Sequence, residues 1–509
     1  MSAKGIIQGI LITSALLIAV PASARIDCRS TYNNSLLECV KQNNNLNIGK
    51  SDISVSGISS GGFMAHQFHI AHSSNIMGAG IVAGGPYYCA EGSMIDAIAK
   101  CSKFMALECA APMTGFAASL TDFCKNPYTG PTTDEQSIGL AQQSFATAAS
   151  WGNQGRINPV AGLSRARVYL FTGLNDEIVP FDVMNAVYHF YADQDKANLV
   201  PGSITLNRQF PAHHTMVTDN YYSAPPHYVG VCNVEHTIFD DPYIGDCSKE
   251  ARYTQAANGC DCTKTSGQAC PTSAAAQQEC AIQPGQDNPF RRKWPDQSTC
   301  EKNVRQDMCQ SASDVDLAGA ILMKIYPDVQ PTSRESLLSA REVAKVQGLA
   351  TKLSAALSSK LVTFSQSKLI EQKFGAKDAG AWASFADNGY VYVPETCKSG
   401  AQCRLHVAFH GCKQGGDNDH PYGNIFARFA GYNEWAKNNR IVVLYPQVQA
   451  QNYLPTINPQ GCWDWWGFLY TGKDYAMLSG KQIKAVAQMI NTLVGLDLLE
   501  VPTEQAMQP

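Results

Sequence analysis

Charge is scarce in this sequence. Asp, Glu, Lys and Arg make up only 16% of its 509 residues, and 39 basic side chains face 43 acidic ones, a formal net charge of -4. A chain with so little positive charge has no basic field to hold a phosphate backbone, so nucleic acid is excluded as an expected partner. Beyond the N-terminal region no run is apolar enough over the roughly 20 residues that a bilayer-spanning helix requires, so no stable membrane anchor is expected. Internal repeats are absent, and so are the long polar tracts of disordered chains. With 45% hydrophobic residues the chain can bury a large core and should be globular. Its length allows two or three average domains, or one α/β fold enlarged by insertions.

What is present begins at the N-terminus. Lys4 precedes an apolar run over 6–20 that ends in Pro21-Ala22-Ser23-Ala24. Small residues at Ala22 and Ala24 suit cleavage before Arg25, so 1–24 is expected to be a signal peptide and the mature protein secreted. The 18 cysteines all follow that region, and in an oxidising compartment an even set should mostly be paired. Cys28 with Cys39, Cys232 with Cys247, and Cys397 with Cys403 would close short loops. Cys260-Asp261-Cys262 lacks both the two-residue gap and the nearby histidine of a metal site, and reads as disulfide chemistry. Neither a metal nor a cofactor is expected.

From 52 to 57 the chain alternates and is rich in β-formers. It turns through Gly57-Ile58-Ser59-Ser60-Gly61 and continues over 63–68 with helical character. Further short strands are expected at 78–83, 167–172, 390–393, 405–409 and 441–445, with helices between several of them, including 431–437 and 481–494. Strands alternating with helices imply a mostly parallel sheet covered on both faces. Two stretches break the rhythm. From about 245 to 310 the chain is rich in Cys, Gln, Ala, Thr and Pro, and 318–374 looks helical, with Leu349, Leu353, Leu357 and Leu361 at helix-like spacing. Together, 245–385 is expected to be an inserted cap or a separate small domain, with 25–244 and 386–509 forming the main domain.

A serine that attacks a carbonyl needs an exposed hydroxyl, a base to take its proton and an acid to orient that base. Gly-x-Ser-x-Gly between a strand and a helix lifts the Ser59 hydroxyl into the open and turns the Ser60 amide toward a developing oxyanion. The acid should follow a later strand, and 167–172 runs into Asp176, with Glu177 and Asp182 as competitors. The base should come later still. His213 and His214 are both placed for it, and either choice preserves the order Ser, Asp, His of nucleophile-elbow hydrolases. His66, His69 and His72 share a helix but lack a carboxylate or cysteine at ligand spacing, so they are expected to be packing residues. One oddity remains. Only about 27 residues of the expected mature chain precede Asp52, too few for the strands that normally come before a nucleophile strand. The strands from Tyr390 onward must fill that place, and one of them ends in His410-Gly411-Cys412-Lys413-Gln414, which has the look of an oxyanion loop. The fold therefore reads as a circularly permuted α/β-hydrolase fold.

These motifs together are specific. Gly57-Ile58-Ser59-Ser60-Gly61-Gly62, Gly173-x-x-Asp176-x-x-Val179-Pro180, His214-Thr215-Met216-Val217-Thr218-Asp219, His410-Gly411-Cys412 and Gly461-Cys462-Trp463-Asp464-Trp465-Trp466-Gly467 stand in this order. The set resembles the extracellular poly(3-hydroxybutyrate) depolymerases of the permuted type, whose lipase box lies near the amino terminus, over roughly 50–245 and 385–495. The resemblance implies Ser59 as nucleophile, Asp176 as orienting acid, His214 rather than His213 as base, and the amides of Ser60 and Cys412 as oxyanion hole. It implies a Cys412–Cys462 disulfide and a polyester or oligoester substrate, with Trp463 foremost among Trp463, Trp465 and Trp466 in lining an apolar cleft. The long insertion departs from the family pattern and makes a soluble oligomer a possible substrate. An esterase for aryl or acyl-carbohydrate esters, and a non-catalytic binding protein on a hydrolase scaffold, stand as alternatives.

Overall fold

The computed structural model describes residues 26–103, 128–208, 212–218, 244–246, 316–330, 361–416, 424–468 and 473–499, apart from 31, 32, 34, 174, 175, 177, 193–198 and 213. Residues 1–24, where a signal peptide is expected, and Cys232, Cys247, Cys260, Cys262, Glu177, His213, Leu349, Leu353 and Leu357 lie outside them.

Eight strands form one sheet: β1 (Asn47–Ile58), β2 (Gly78–Val82), β3 (Arg167–Phe171), β4 (Ile204–Asn207), β5 (Leu361–Ser365), β6 (Asn388–Tyr392), β7 (Gln402–Phe409) and β8 (Ile441–Tyr445). Their order across the sheet is β4-β3-β2-β1-β7-β8-β6-β5. Only β6 runs against its neighbours. The central strands are buried on both faces, so they read as continuous apolar runs such as Ile441-Val442-Val443-Leu444-Tyr445, all buried. Ile53 and Val55 of β1 point into one core and Ile58 into the other.

Helices cover both faces. On one lie α1 (Ser60–Ala71), α2 (Asp134–Asn153), α3 (Phe181–Ala192), α5 (Gln366–Phe374) and α7 (Lys481–Val494); on the other lie α4 (Leu317–Ile325) and α6 (Tyr432–Asn439). The apolar stripe of α7, Ile483, Val486, Met489, Ile490 and Leu493, is buried, and Gly495 ends the helix in the left-handed conformation at φ 80°. An α/β-hydrolase fold with a mostly parallel sheet and helices on both faces is thus what the chain adopts. No helix among the described residues is long and apolar enough to cross a membrane.

Within 245–385 the described segments depart from a cap. Leu317, Ile321, Leu322 and Ile325 of α4 pack into the same cluster as Tyr169 and Phe171 of β3, and the Tyr326 hydroxyl reaches Ser54 of β1 at 2.7 Å. Leu361 opens a strand instead of ending a helix. Its four-residue spacing from Leu357 is helical, but Leu361-Val362-Thr363-Phe364-Ser365 has β-branched residues and pairs antiparallel along the whole of β6. These segments complete the sheet and its covering layer.

Candidate active site

β1 and β7 are adjacent and parallel, so their C-terminal ends deliver two loops to the same edge of the sheet. β1 ends in the turn at Ser59, whose backbone sits at φ 57° and ψ -125°. Positive φ is costly for a residue with a side chain and persists where surroundings over-determine it. Here the Ser59 N–H donates to the Val82 carbonyl at 3.0 Å, and its own carbonyl accepts from Phe63 at 3.0 Å. Gly57 and Gly61 are needed for close approach. A Cβ at Gly57 would strike the Gly61 carbonyl, and one at Gly61 would strike the carbonyls of Phe409 and His410. Helix α1 can therefore start immediately at Ser60, against the end of β7.

The loop after β3 brings in Asp176, and the segment after β4 brings in His214. Nδ1 of His214 lies 3.1 and 3.0 Å from the two Asp176 oxygens, and both side chains are almost wholly shielded from solvent. Oδ1 of Asp176 also accepts the N–H groups of Ile178 at 3.0 Å and Val179 at 2.9 Å. A carboxylate held in this way has its charge stabilised and its orientation set. Since a carboxylate only accepts, Nδ1 carries the proton of a neutral His214 and Nε2 is its basic nitrogen. Asp182, the other described competitor for the acid, lies in α3 and accepts the Ser137 hydroxyl at 2.9 Å through its backbone carbonyl.

β7 ends in His410-Gly411-Cys412. A Cβ at Gly411 would lie 3.3 Å from the Ser59 Cβ, so this loop runs directly over the serine. Cys412 is disulfide-bonded to Cys462. The Gly411 N–H donates to Gln414 Oε1 at 2.6 Å, and the Lys413 N–H to the Gln460 carbonyl at 2.7 Å. Among the described residues, the amides of Ser60 and Cys412 donate to no carbonyl.

The segment after Cys462 buttresses α1. The Trp463 N–H donates to Ser60 Oγ at 3.3 Å, Gln67 Nε2 donates to the Asp464 carbonyl at 3.0 Å, and Trp465 stacks on Phe63 with centroids 4.2 Å apart. This corrects the expectation for the tryptophans. Trp463, 0% exposed, packs edge-on against Phe385 and Phe409 and beside His410. It is core behind the His410-Gly411-Cys412 loop, because an indole following a pinned disulfide is drawn inward with it. Trp465 is buried as well, whereas Trp466 is half-buried, against Trp465 and Phe468.

His66 and His69 of α1, and His72 at its C-terminal cap, are buried. Nδ1 of His66 meets the Gly85 carbonyl at 2.9 Å and Nδ1 of His69 the Tyr191 hydroxyl at 2.7 Å. Burial lowers their pKa values to about 4, 3 and 3. Among the described residues no three His, Cys, Asp or Glu side chains come together as a metal cage.

No family model matches this chain. It is 30% identical over 451 residues to the poly(3-hydroxybutyrate) depolymerase of Delftia acidovorans, covering 88% of this chain and 60% of that protein. It is 26% identical over 461 residues to the polyhydroxybutyrate depolymerase of Talaromyces funiculosus, covering 88% of this chain and 91% of that one. The chain is a relative of the poly(3-hydroxybutyrate) depolymerases. It spans 60% of the length of the Delftia relative. Two solved structures share the fold with a TM-score of 0.53 and 23% identity, covering 88% of this chain and 98% of theirs. They are the depolymerase from Penicillium funiculosum and a PHB depolymerase complexed with an R3HB trimer.

Ser59, Ser60, Asp176, His214 and Cys412 stand on loops of one sheet edge, and the pairs Cys28–Cys39, Cys397–Cys403 and Cys412–Cys462 are bonded. The Cys89–Cys101 disulfide was not anticipated. Its separation of 12 residues resembles the 11 of Cys28–Cys39, and that spacing was the available signal. Gln414 stood in the loop read from the sequence, but its bond to the Gly411 N–H was not anticipated, because a glutamine three residues past a glycine carries no signature until the loop closes.

Proposed function

We propose that this chain is a secreted serine esterase acting on poly(3-hydroxybutyrate) or its oligomers. The Asp176–His214 pair at 3.0 Å, on the sheet edge that also carries the strained Ser59 turn, is the observation that carries this reading. In it, Nε2 of His214 takes the Ser59 proton as Oγ attacks the ester carbonyl. The amides of Ser60 and Cys412 hold the oxyanion. The proton then passes from His214 to the departing alkoxide oxygen, leaving an acyl-enzyme on Ser59. Water, deprotonated by the same imidazole, attacks the acyl carbon and releases the acid and free Ser59. Asp176 holds the imidazole in the required tautomer and stabilises its charged form.

The substrate comes from the relatives. A chain of short, uncharged, methyl-bearing esters suits an apolar entrance, and Trp466 is the tryptophan of the three whose ring reaches partly into the open. The Cys412–Cys462 bond and three further described disulfides support export to an oxidising compartment. The strand order supports a circular permutation. β7, which bears the oxyanion loop, lies beside β1 in the sheet yet follows it in the chain. Of 245–385, only the parts outside the described segments remain for a cap.

The test is incubation with amorphous poly(3-hydroxybutyrate), reading turbidity and released 3-hydroxybutyrate, beside feruloyl and acetyl-sugar esters. Loss of turbidity with monomer or dimer release is expected. Turnover confined to the aryl or sugar esters would reassign the substrate. No turnover of any ester and no fluorophosphonate adduct on Ser59 would leave the binding-protein alternative.

A further inference from the structure

The oxyanion loop carries a buried imidazole that none of the catalytic steps above uses. His410 is 0% exposed and both of its ring nitrogens are engaged by backbone. The Val448 N–H, which can only donate, meets Nε2 at 3.1 Å, so Nε2 is the unprotonated nitrogen. Burial lowers the pKa of His410 to about 4, so the ring is neutral near neutral pH and its one proton sits on Nδ1. Nδ1 faces the Gly411 carbonyl at 2.6 Å. The tautomer is therefore settled by Val448, and the Gly411 oxygen is the acceptor of the only N–H the ring has.

The Gly411 carbonyl and the Cys412 N–H belong to one rigid plane. Leu454–Pro455 is the cis peptide of the described chain, so the 411–412 peptide is trans, and its C=O and N–H point in opposite directions. Holding that oxygen against the buried imidazole aims the Cys412 N–H the other way, out of the interior. We infer that His410 is a positioning residue of the oxyanion site, setting the direction of the Cys412 amide through the Gly411–Cys412 peptide plane. One neighbouring restraint acts on the same oxygen, but from farther off. The Gln414 N–H meets the Gly411 carbonyl at 3.3 Å, against 2.6 Å for Nδ1 of His410. Gln414 Oε1 grips the preceding peptide through the Gly411 N–H, and the Cys412–Cys462 bond anchors the side chain, so the imidazole is the shorter of the two contacts that set this plane.

This inference rests on reading Ser59 as nucleophile and Cys412 as oxyanion donor, and two amide variants test it. His410→Asn places an amide N–H where Nδ1–H stands, while His410→Gln moves that group out toward the position of Nε2. Each variant is assayed for kcat and KM on a soluble 3-hydroxybutyrate trimer, for the rate of fluorophosphonate labelling of Ser59, and for its melting temperature. Removal of an oxyanion donor costs about 10²–10³ in kcat, and misaiming one should cost about 10- to 100-fold. His410→Gln is expected to lose that factor in kcat and in labelling rate with KM little changed, and His410→Asn to recover most of it. Equal losses in both variants, a loss confined to KM, or losses that track melting temperature alone would overturn the inference while leaving the triad standing. Absence of labelling in the unmutated protein would overturn the nucleophile reading and this inference with it. Should His410→Gln fail to fold, His410→Asn alone decides: near-normal kcat supports the donor at Nδ1, and a collapse of kcat in a folded protein rejects it.

Discussion

Along the same pair of strands, β1 and β7, the middle and the C-terminal end are built to opposite rules. In the middle, His406 lies opposite Ser54, with Nδ1 2.7 Å from Ser54 Oγ and Nε2 2.7 Å from Ser56 Oγ. Tyr326 closes the chain on Ser54 at 2.7 Å and Tyr432 on Ser56 at 2.6 Å. Each polar side chain of this buried row finds a partner, which locks strand register and ties α4 and α6 to the sheet. At the C-terminal end Ser59 is held at positive φ, and among the described residues the Ser60 and Cys412 amides meet no carbonyl. Saturation gives rigidity. Unspent donors and strain at the end of a rigid pair give a place where new charge can be received.

The comparison breaks most readily at Ser59. Ser59→Ala should lower kcat by about 10⁶-fold, the scale of losing a serine nucleophile, with the melting temperature hardly moved. A large fall in melting temperature would show that the end, too, holds the fold together. At the middle the reverse is expected. His406→Leu takes one of two partners from each of Ser54 and Ser56, leaving Tyr326 and Tyr432 to hold the hydroxyls, and each lost hydrogen bond should cost about 0.5–1.5 kcal/mol. Denaturant unfolding should show that loss while the folded fraction keeps its kcat. A catalytic loss as deep as that of His410→Gln would erase the distinction between the halves.

The smallest effect is the change that one buried histidine makes to the acid stability of the fold. Burial holds the pKa values of His66, His69, His72, His406 and His410 at about 4, 3, 3, 3 and 4, against about 6.5 in an unfolded chain. Below about pH 6.5 the unfolded state therefore binds more protons than the native one, and stability falls as pH drops toward about 4. It is fully present above that window. Melting temperatures across the range should fall steeply, and His72→Leu, which removes a buried ring with neither nitrogen hydrogen-bonded, should flatten the slope. An unchanged slope would place the proton uptake elsewhere.

Much of the site was legible because its chemistry is local. Gly57 to Gly61 states its own turn, and Asp176 follows its own strand. The tryptophans misled for a non-local reason. Trp463, Trp465 and Trp466 are adjacent in sequence, and only the Cys412–Cys462 bond and the stack on Phe63 decide which rings turn inward. Leu361 misled because a four-residue spacing matches a helix, and pairing with β6 overrode it.

The order of residues along the chain by itself determined which groups could react: a serine in a glycine-framed turn, a carboxylate and an imidazole after later strands, and a His-Gly-Cys loop. Whether they meet was decided by the tertiary structure alone. β1 and β7 are joined by hydrogen bonds between residues some 350 positions apart in the chain, and His410 acquires its tautomer from Val448, a donor 38 residues away. Proton position and peptide direction depend on which groups lie within hydrogen-bond reach, and that reach exists only once the sheet has closed.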